Sequence, residues 1–169
     1  MNTSRKTYAL ILAGALLWCG SILLAPYLAA SSSPLAAYVY QAFHPICHQL
    51  PERSFHLFGA KLAVCSRCAS IYFAFLFGIL LYPCVRTLSN IQTPHRNILV
   101  VALLPMLIDV GLDFVGVHAS TFFTRTLGGT LFGIVVPFFV LPAAIEGVQQ
   151  LVTQKQITIV EHQKGIFHA

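Results

Sequence analysis

The chain has 169 residues, of which 57% are hydrophobic and 9% are charged, and its mean hydropathy is +0.77. Soluble domains carry about 25% charged residues, so this composition excludes a soluble globular protein and indicates an integral membrane protein. The formal net charge is +5, but the basic residues form no stripe with interleaved aromatic residues. We therefore expect lysine and arginine to flank a membrane, with membrane lipid as the partner, and we expect no nucleic-acid partner.

Four apolar stretches are long enough to cross a bilayer, whose core of about 30 Å needs about 20 helical residues. Only helices are plausible there, because unpaired backbone groups in lipid cost several kcal/mol each. We predict an all-α fold, a single membrane domain over residues 1–169 that forms a bundle of four transmembrane helices. The predicted spans are residues 8–28, 62–85, 98–117 and 126–145, and the predicted cytoplasmic tail is residues 147–169.

The first span has a secretory signal peptide as its alternative interpretation. Its uncharged core runs from about residue 8 to 28, which is longer than the roughly 7 to 15 apolar residues of a signal peptide. We therefore expect a retained transmembrane helix.

The positive residues that flank the spans predict their orientation. With the N-terminus inside, the cytoplasmic flanks carry more of them than the outer flanks. We therefore expect both termini in the cytoplasm of a plasma (inner) membrane, and the connection between spans one and two on the outer side, where disulfides persist. The inner residues are Arg5, Lys6, Arg86, Arg96, Lys155 and Lys164, and the outer residues are Arg53, Lys61, Arg67 and Arg125.

Three cysteines and two histidines cluster in and after this connection. His44, Cys47 and His48 would share one face of a short surface helix over residues 35–48, although Pro45 would kink or restart that helix. The pair Cys65 and Cys68 follows at the mouth of the second span. The short outer helix and loop therefore carry a Cys/His cluster.

Thiolates and imidazoles at this spacing are typical ligands of zinc. We predict a zinc site formed by Cys47, Cys65, Cys68 and either His48 or His44. Iron or an iron–sulfur cluster would also accept three thiolates and a histidine. A site closed by four protein ligands would be structural, whereas an open position would let a bound water act as a nucleophile.

Redox chemistry is the competing interpretation of the same cysteines. Arg67 lies between Cys65 and Cys68 at a helix N-terminus, and both features would lower a thiol pKa. The plan is similar to that of quinone-coupled thiol oxidases and the vitamin K epoxide reductase class. Those enzymes generally use a second loop pair of cysteines, whereas Cys47 stands alone in its loop.

A third pattern is charge inside the membrane, where ionisable groups are costly and usually paired. Asp109 and Asp113 lie on one face of the third span, and Arg67 and Arg125 begin spans two and four on the same side. One interpretation is a structural salt bridge that ties three helices together. The other is an anion clamp for a lipid headgroup or phosphate, with a carboxylate as proton carrier. The candidate catalytic residues are Asp109, Asp113 and Arg125, and the candidate anion-binding residues are Arg53 and Arg67.

Near the start of the fourth span, Gly129-x-x-x-Gly133 is typical of a helix-packing face rather than of a ligand loop.

Several motifs resemble one family. They are Cys47-His48-Gln49-x-Pro51-x-Arg53-Ser54-Phe55, then Cys65-x-Arg67-Cys68-x-x-Ile71-Tyr72, and later Pro105-x-x-x-Asp109, Ser120-Thr121 and Arg125-x-x-Gly128. Together they resemble a bacterial family of predicted small membrane proteins that is catalogued as a domain of unknown function. The resemblance implies the membrane architecture and the motifs, and it implies no activity.

Three function classes follow from these patterns. The preferred hypothesis is a metal-binding membrane protein, extended to a metalloenzyme that acts on a phosphorylated or lipidic substrate at the outer leaflet. The second is a membrane thiol–disulfide or quinone oxidoreductase that uses Cys65 and Cys68. The third is a non-catalytic accessory subunit or small transporter.

Overall fold

The computed structural model describes residues 3–88, 90 and 92–167, with side chains through residue 155. Residues 168 and 169 of the predicted tail, and the side chain of Lys164, lie outside this description. The elements in chain order are α1 (Thr3–Ala30), α2 (Leu35–Phe43), a 3₁₀ turn (Pro51–Arg53), β1 (His56–Leu57), β2 (Ala60–Lys61), α3 (Ser66–Val85), α4 (Arg96–Phe114), α5 (Phe122–Val135) and α6 (Pro137–Phe167).

Within the described residues, four helical segments are long and apolar enough to cross a membrane. They are Thr3–Ala30, Ser66–Val85, Arg96–Phe114 and Phe122–Lys155. The predicted all-α membrane bundle is therefore confirmed. The strands among the described residues are two residues long each and form one antiparallel hairpin.

The last of these segments contains α5 and the first part of α6, through Lys155. Val136 joins the two helices and keeps helical backbone angles, with φ −53° and ψ −41°. Pro137 then begins α6, where its missing N–H and preset φ suit the first position of a helix. The chain therefore continues as helix well beyond the predicted fourth span.

The connection between α1 and α3 differs from the predicted surface helix. α2 ends at Phe43, because Pro45 has no N–H with which to continue the helical hydrogen bonds, although His44 before it keeps helical angles of φ −58° and ψ −38°. The chain then makes one further turn, in which the Cys47 N–H donates to the Phe43 carbonyl at 3.1 Å. This turn brings Cys47 into the buried cluster that contains Phe43.

The start of α3 also lies later than expected, at Ser66 instead of residue 62. β2 ends at Lys61, which pairs with His56 across the hairpin, and residues 62–65 then form neither helix nor strand. Cys65 has extended backbone angles, φ −68° and ψ 165°, and serves as the N-cap of α3. Cys65 and Cys68 therefore occupy the cap and the first turn of this helix.

Close packing of α5 against α3 and α4 brings together the helix ends that carry the charged residues. A Cβ added at Gly129 would lie 2.7 Å from the Arg67 carbonyl oxygen, and one at Gly133 would collide with the Ile71 carbonyl. A Cβ added at Gly128 would lie 3.2 Å from Met106 Cα of α4. The predicted glycine packing face is confirmed, and α5 lies between α3 and α4.

Different kinds of contact hold the helices together at the two ends of the bundle. At one end, apolar side chains of α1, α2 and the chain before α3 form a buried cluster that includes Ile22, Phe43 and Val64. At the other end, Gln149 of α6 donates a hydrogen bond to Ser4 of α1 at 3.1 Å. The beginning of α1 and the middle of α6 therefore lie at the end away from the cysteines, and their cytoplasmic location stays a prediction.

Candidate metal centre and arginine cleft

Cys47, Cys65 and Cys68 meet at the N-terminus of α3. Their sulfur atoms all lie within 4.8 Å of one another, with Cys47 buried and the other two half-buried. The Cys65 N–H donates to Cys47 Sγ at 3.1 Å, which joins the loop after α2 to the cap of α3. The structure thus assembles three of the predicted metal ligands, hereafter the thiol group.

The local fold explains why these cysteines converge. The Leu62 N–H donates to the Phe55 carbonyl at 2.8 Å, which extends the hairpin toward α3. Ala63 and Val64 are fully buried in the apolar cluster beside Phe43. Burial of this short segment fixes the position of Cys65, because leaving the cluster would expose its apolar side chains.

A second set of contacts holds the loop after α2. Gln49 adopts a left-handed conformation with φ +52°, and its side-chain amide donates to the Tyr40 carbonyl at 2.6 Å. Lys61 Nζ donates to the Gln49 carbonyl at 2.6 Å, and the Tyr40 hydroxyl donates back to the Lys61 carbonyl. Burial raises the pKa of Tyr40, so its hydroxyl remains a donor. Sequence reasoning gave Tyr40 and Gln49 no role at the site, although Gln49 stands inside the quoted motif, and it counted Lys61 only as a positive residue beside the membrane.

Several hydrogen-bond donors favour a thiolate at Cys65. The Cys47 thiol is the largest cause, followed by the Cys68 thiol and the backbone N–H groups of Cys68 and Arg67, and together they hold the Cys65 pKa well below its usual range. Burial opposes this shift and is outweighed. A thiolate is the form that binds metal and the form that attacks disulfides.

The donor set fits zinc. Tetrahedral coordination with Zn–S bonds of about 2.3 Å places sulfurs about 3.8 Å apart, and the three sulfurs lie within 4.8 Å of one another. The N–H groups directed at Cys47 and Cys65 are the kind of outer contact that stabilises a metal-bound thiolate. Cys47, Cys65 and Cys68 are therefore able to hold such an ion.

The two candidate histidines lie in different places, and both are exposed. His48 lines the same cleft as the thiol group, whereas His44 lines a separate depression beside Tyr40. Neither imidazole lies within 4.8 Å of all three sulfurs. The helical face that His44 was expected to share with Cys47 is not formed, because α2 ends at Phe43. His48 is therefore the better placed imidazole.

Asp109 is at the centre of the buried charges. It is 7% exposed and forms an ion pair with Arg67, and the Ser120 hydroxyl donates to the same carboxylate oxygen, Oδ2. Arg67 also donates to the Ser120 hydroxyl oxygen at 3.0 Å. Asp109 Oδ1 and Arg67 Nε are buried and have no hydrogen-bond partner among the described residues.

Asp113 forms the outer part of this network. Its Oδ2 lies 3.7 Å from Arg125 Nη2 and 4.0 Å from Arg53 Nη1. The Ser120 N–H donates to Asp113 Oδ1 at 3.2 Å, and Arg125 Nε donates to the Ser120 hydroxyl at 3.0 Å. The predicted salt bridges between α3, α4 and α5 are thus formed.

Sequence reasoning missed the role of Ser120, which touches four charged groups. The sequence did contain a signal for this position, because Ser120 directly precedes Thr121, and threonine is a common helix N-cap. Thr121 and Thr124 form a capping box, with the Thr124 N–H donating to Thr121 Oγ1 at 3.2 Å. The cap fixes the chain at the start of α5 and so places Ser120 over the ends of α3 and α4.

The cysteines and the arginines described above line one opening. A cleft of about 350 Å³ is lined by the thiol group, His48 and three arginines, Arg53, Arg67 and Arg125. We call it the arginine cleft. Among the described residues, neither Asp109 nor Asp113 contributes to its lining. The two carboxylates therefore lie behind the guanidinium groups and hold them in place.

Comparisons with known proteins agree with this architecture. A family model described as "Predicted membrane protein (DUF2085)" matches residues 47–139, a range that includes the thiol group and all three arginines of the cleft. Uncharacterized protein MJ1492 of Methanocaldococcus jannaschii is 35% identical over 148 residues, which cover 84% of this chain and 95% of the relative. No solved structure matches the chain.

This relative is archaeal, so the expectation of a bacterial family is not confirmed. The family model covers more than half of the chain, and the relative aligns over nearly its whole length. The chain therefore belongs to the DUF2085 family of predicted membrane proteins.

Proposed function

We propose that this membrane protein binds zinc through Cys47, Cys65 and Cys68, with the fourth position directed to the arginine cleft. The observation that carries the proposal is the convergence of three sulfurs within 4.8 Å, with N–H donors directed at two of them. Iron is the less favoured metal, because an all-thiolate site with one further ligand is typical of tetrahedral zinc.

The occupant of the fourth position decides between a structural site and a catalytic site. His48 lines the cleft and is exposed, so a modest rearrangement of its loop would bring it to the ion and close the site. If the position stays open, zinc supplies a Lewis acid and lowers the pKa of a bound water. The arginine cleft would then receive a phosphorylated or lipidic substrate beside that water.

The chain's own residues have distinct roles in this proposal. Arg53, Arg67 and Arg125 bind and orient the substrate, because guanidinium groups offer paired donors to anionic oxygens. Asp109 positions Arg67 and Asp113 positions Arg125. The predicted proton-carrier role fits Asp113 better than Asp109, because the side chain of Asp113 is 29% exposed and that of Asp109 is 7% exposed.

The first experiment is elemental analysis of the purified full-length protein, with free thiols counted on the same sample. We expect about one zinc per chain, and we expect Cys47→Ser and Cys65→Ser to lose it. Cys84→Ser is the matched control, because Cys84 is a free cysteine outside the thiol group. Full zinc retention in Cys65→Ser would overturn the proposal.

Thiol–disulfide exchange is the second candidate, favoured by one specific observation. The fold brings Cys47 beside the Cys65 and Cys68 pair, which gives the pair a neighbouring thiol for disulfide exchange. The lowered pKa of Cys65 suits a nucleophilic thiol. Absence of metal, with two thiols missing until reductant is added, would favour this candidate over zinc.

A further inference from the structure

The lining of the arginine cleft has an excess of positive charge. Three guanidinium groups reach it, whereas its described lining contains no carboxylate. Arg53 and Arg67 both lie close enough to Arg125 to repel its charge. Three arginines held this close are unfavourable by themselves, because like charges at short range repel strongly where water is scarce.

The two carboxylates behind the cleft balance this charge only in part. Asp109 pairs closely with Arg67, but Asp113 lies 3.7 Å from Arg125 and 4.0 Å from Arg53. These last two distances exceed the range of about 2.7 to 3.2 Å for an N–H···O hydrogen bond. Arg125 and Arg53 therefore keep donors that Asp113 does not satisfy.

Unsatisfied donors mark the same place. Arg67 Nε is buried and has no hydrogen-bond partner among the described residues. The side chain of Arg53 is 47% exposed, so it is free to turn toward a ligand. The helices α3 and α5 both begin here, with Arg67 and Arg125 in their first turns, and helix N-termini add a partial positive charge.

We propose that the arginine cleft binds a terminal phosphate group, whose oxygens accept hydrogen bonds from Arg53, Arg67 and Arg125. Phosphate fits because it offers several acceptor oxygens and up to two negative charges, and because arginine binds it in a bidentate manner. This inference names the ligand class of the site in the proposed function. It rests on that proposed function only where the metal contributes to binding. The arginine contacts themselves do not need the metal.

The phosphate group has two possible sources, a free phosphate in water and the headgroup of phosphatidic acid in the membrane. The full-length protein in an uncharged detergent is titrated with inorganic phosphate by equilibrium dialysis. In parallel, nanodiscs that contain phosphatidic acid and phosphatidylcholine are analysed by native mass spectrometry for lipid retained on the protein. Phosphate binding without selective retention assigns the site to free phosphate, and selective retention of phosphatidic acid assigns it to the headgroup.

Arg53→Gln is the primary variant, because Arg53 is exposed and its ion pair is long, so the bundle should fold without it. We expect it to weaken binding of the phosphate group about tenfold, as loss of one charge-assisted hydrogen bond would. Arg96→Gln is the matched control, because Arg96 is exposed at the start of α4, outside the cleft. We expect the control to bind as the wild type does.

The outcomes separate this inference from the zinc proposal. Arginine-dependent binding that persists after chelation supports the phosphate site even if the zinc proposal fails. If neither ligand binds saturably, or if Arg53→Gln binds as tightly as the wild type, the inference is overturned. It is also overturned if the arginine variant changes only zinc affinity, since the arginines would then serve only to offset thiolate charge.

Discussion

At the scale of single residues, the ion pair between Arg67 and Asp109 is the charged contact whose loss should lower the stability of the bundle most. Its carboxylate is almost fully buried and retains one oxygen without a described partner. Loss of its partner costs a buried charge far more free energy than it costs a surface charge, because water cannot replace the lost contact. The two aspartates of α4 should therefore respond differently to removal of charge.

We expect Asp109→Asn to lower the free energy of unfolding by about 3 kcal/mol, because Asp109 is buried and its loss leaves the half-buried Arg67 guanidinium without a charged partner. The measurement is SDS-induced unfolding of the protein in mixed micelles. Asp113→Asn is the matched control, with an expected loss below about 1 kcal/mol, because Asp113 is partly exposed and its ion pairs are long. Equal losses for the two variants would show that the burial of Asp109 does not govern its contribution.

Gln49 provides a second prediction at this scale. Its side-chain amide donates to the Tyr40 carbonyl of α2, and its backbone carbonyl accepts from Lys61 of β2. The side-chain contact, which alanine would remove, helps to hold the loop that carries Cys47. We expect Gln49→Ala to weaken zinc binding about tenfold, in line with the effect of losing a supporting contact around metal ligands. The measurement is competition with a zinc chelator of known affinity.

Gln41→Ala is the control for this change, because Gln41 lies on α2 and is exposed. An unchanged zinc affinity in Gln49→Ala would mean that the thiol group holds its geometry without this loop contact.

At the scale of elements, the approach of α5 to α3 decides where the charged ends meet. Gly129 and Gly133 allow contact between the two backbones, in the way that small residues allow transmembrane helices to pack closely. Arg67 and Arg125 lie in the first turns of these two helices. The width of the arginine cleft therefore depends on glycines that lie one or two turns below it.

We expect Gly133→Ala to destabilise the bundle by about 2 kcal/mol, because its Cβ would collide with the Ile71 carbonyl and force the helices apart. Gly111→Ala is the matched control, since a Cβ there meets nothing within 4 Å. The control should be neutral or slightly stabilising, because alanine favours a helix more than glycine does. SDS-induced unfolding checks both variants, and a neutral Gly133→Ala would contradict the packing described for α3 and α5.

At the scale of the whole molecule, a bound metal would join two parts of the chain that apolar packing already brings together. Cys47 follows α2, and Cys65 and Cys68 begin α3, with the hairpin between them. The apolar cluster around Phe43 and Val64 joins the same parts of the chain by burial, so we expect the bundle to remain folded after chelation. Only the connection between α2 and α3 should loosen, because local opening begins where few buried contacts remain.

We therefore expect chelation of the full-length protein to increase proteolytic cleavage within residues 44–65 severalfold, while the four spans stay protected. Limited proteolysis followed by mass spectrometry identifies the cleavage sites. Cys84→Ser should respond as the wild type does, whereas Cys65→Ser should be cleaved readily even before chelation. An unchanged cleavage pattern after complete removal of zinc would show that the metal does not support the connection.

The sequence by itself determined the four spans and the membrane class, because apolar length and the need to satisfy backbone groups in lipid leave only helices. It also marked the three cysteines by their spacing and predicted that charges inside the membrane would be paired. These are local properties of composition and helical periodicity, and they need no knowledge of which helices are neighbours.

The tertiary structure decided how these residues meet and which of the candidates stay apart. It brought Cys47 to Cys65, because burial of Ala63 and Val64 fixes the connection. It separated His44 from the thiols, because α2 stops before Pro45. It directed the arginines into one cleft and placed the carboxylates behind them, through packing of α5 between α3 and α4. Such contacts join residues far apart in the chain, so they depend on packing rather than on any local pattern.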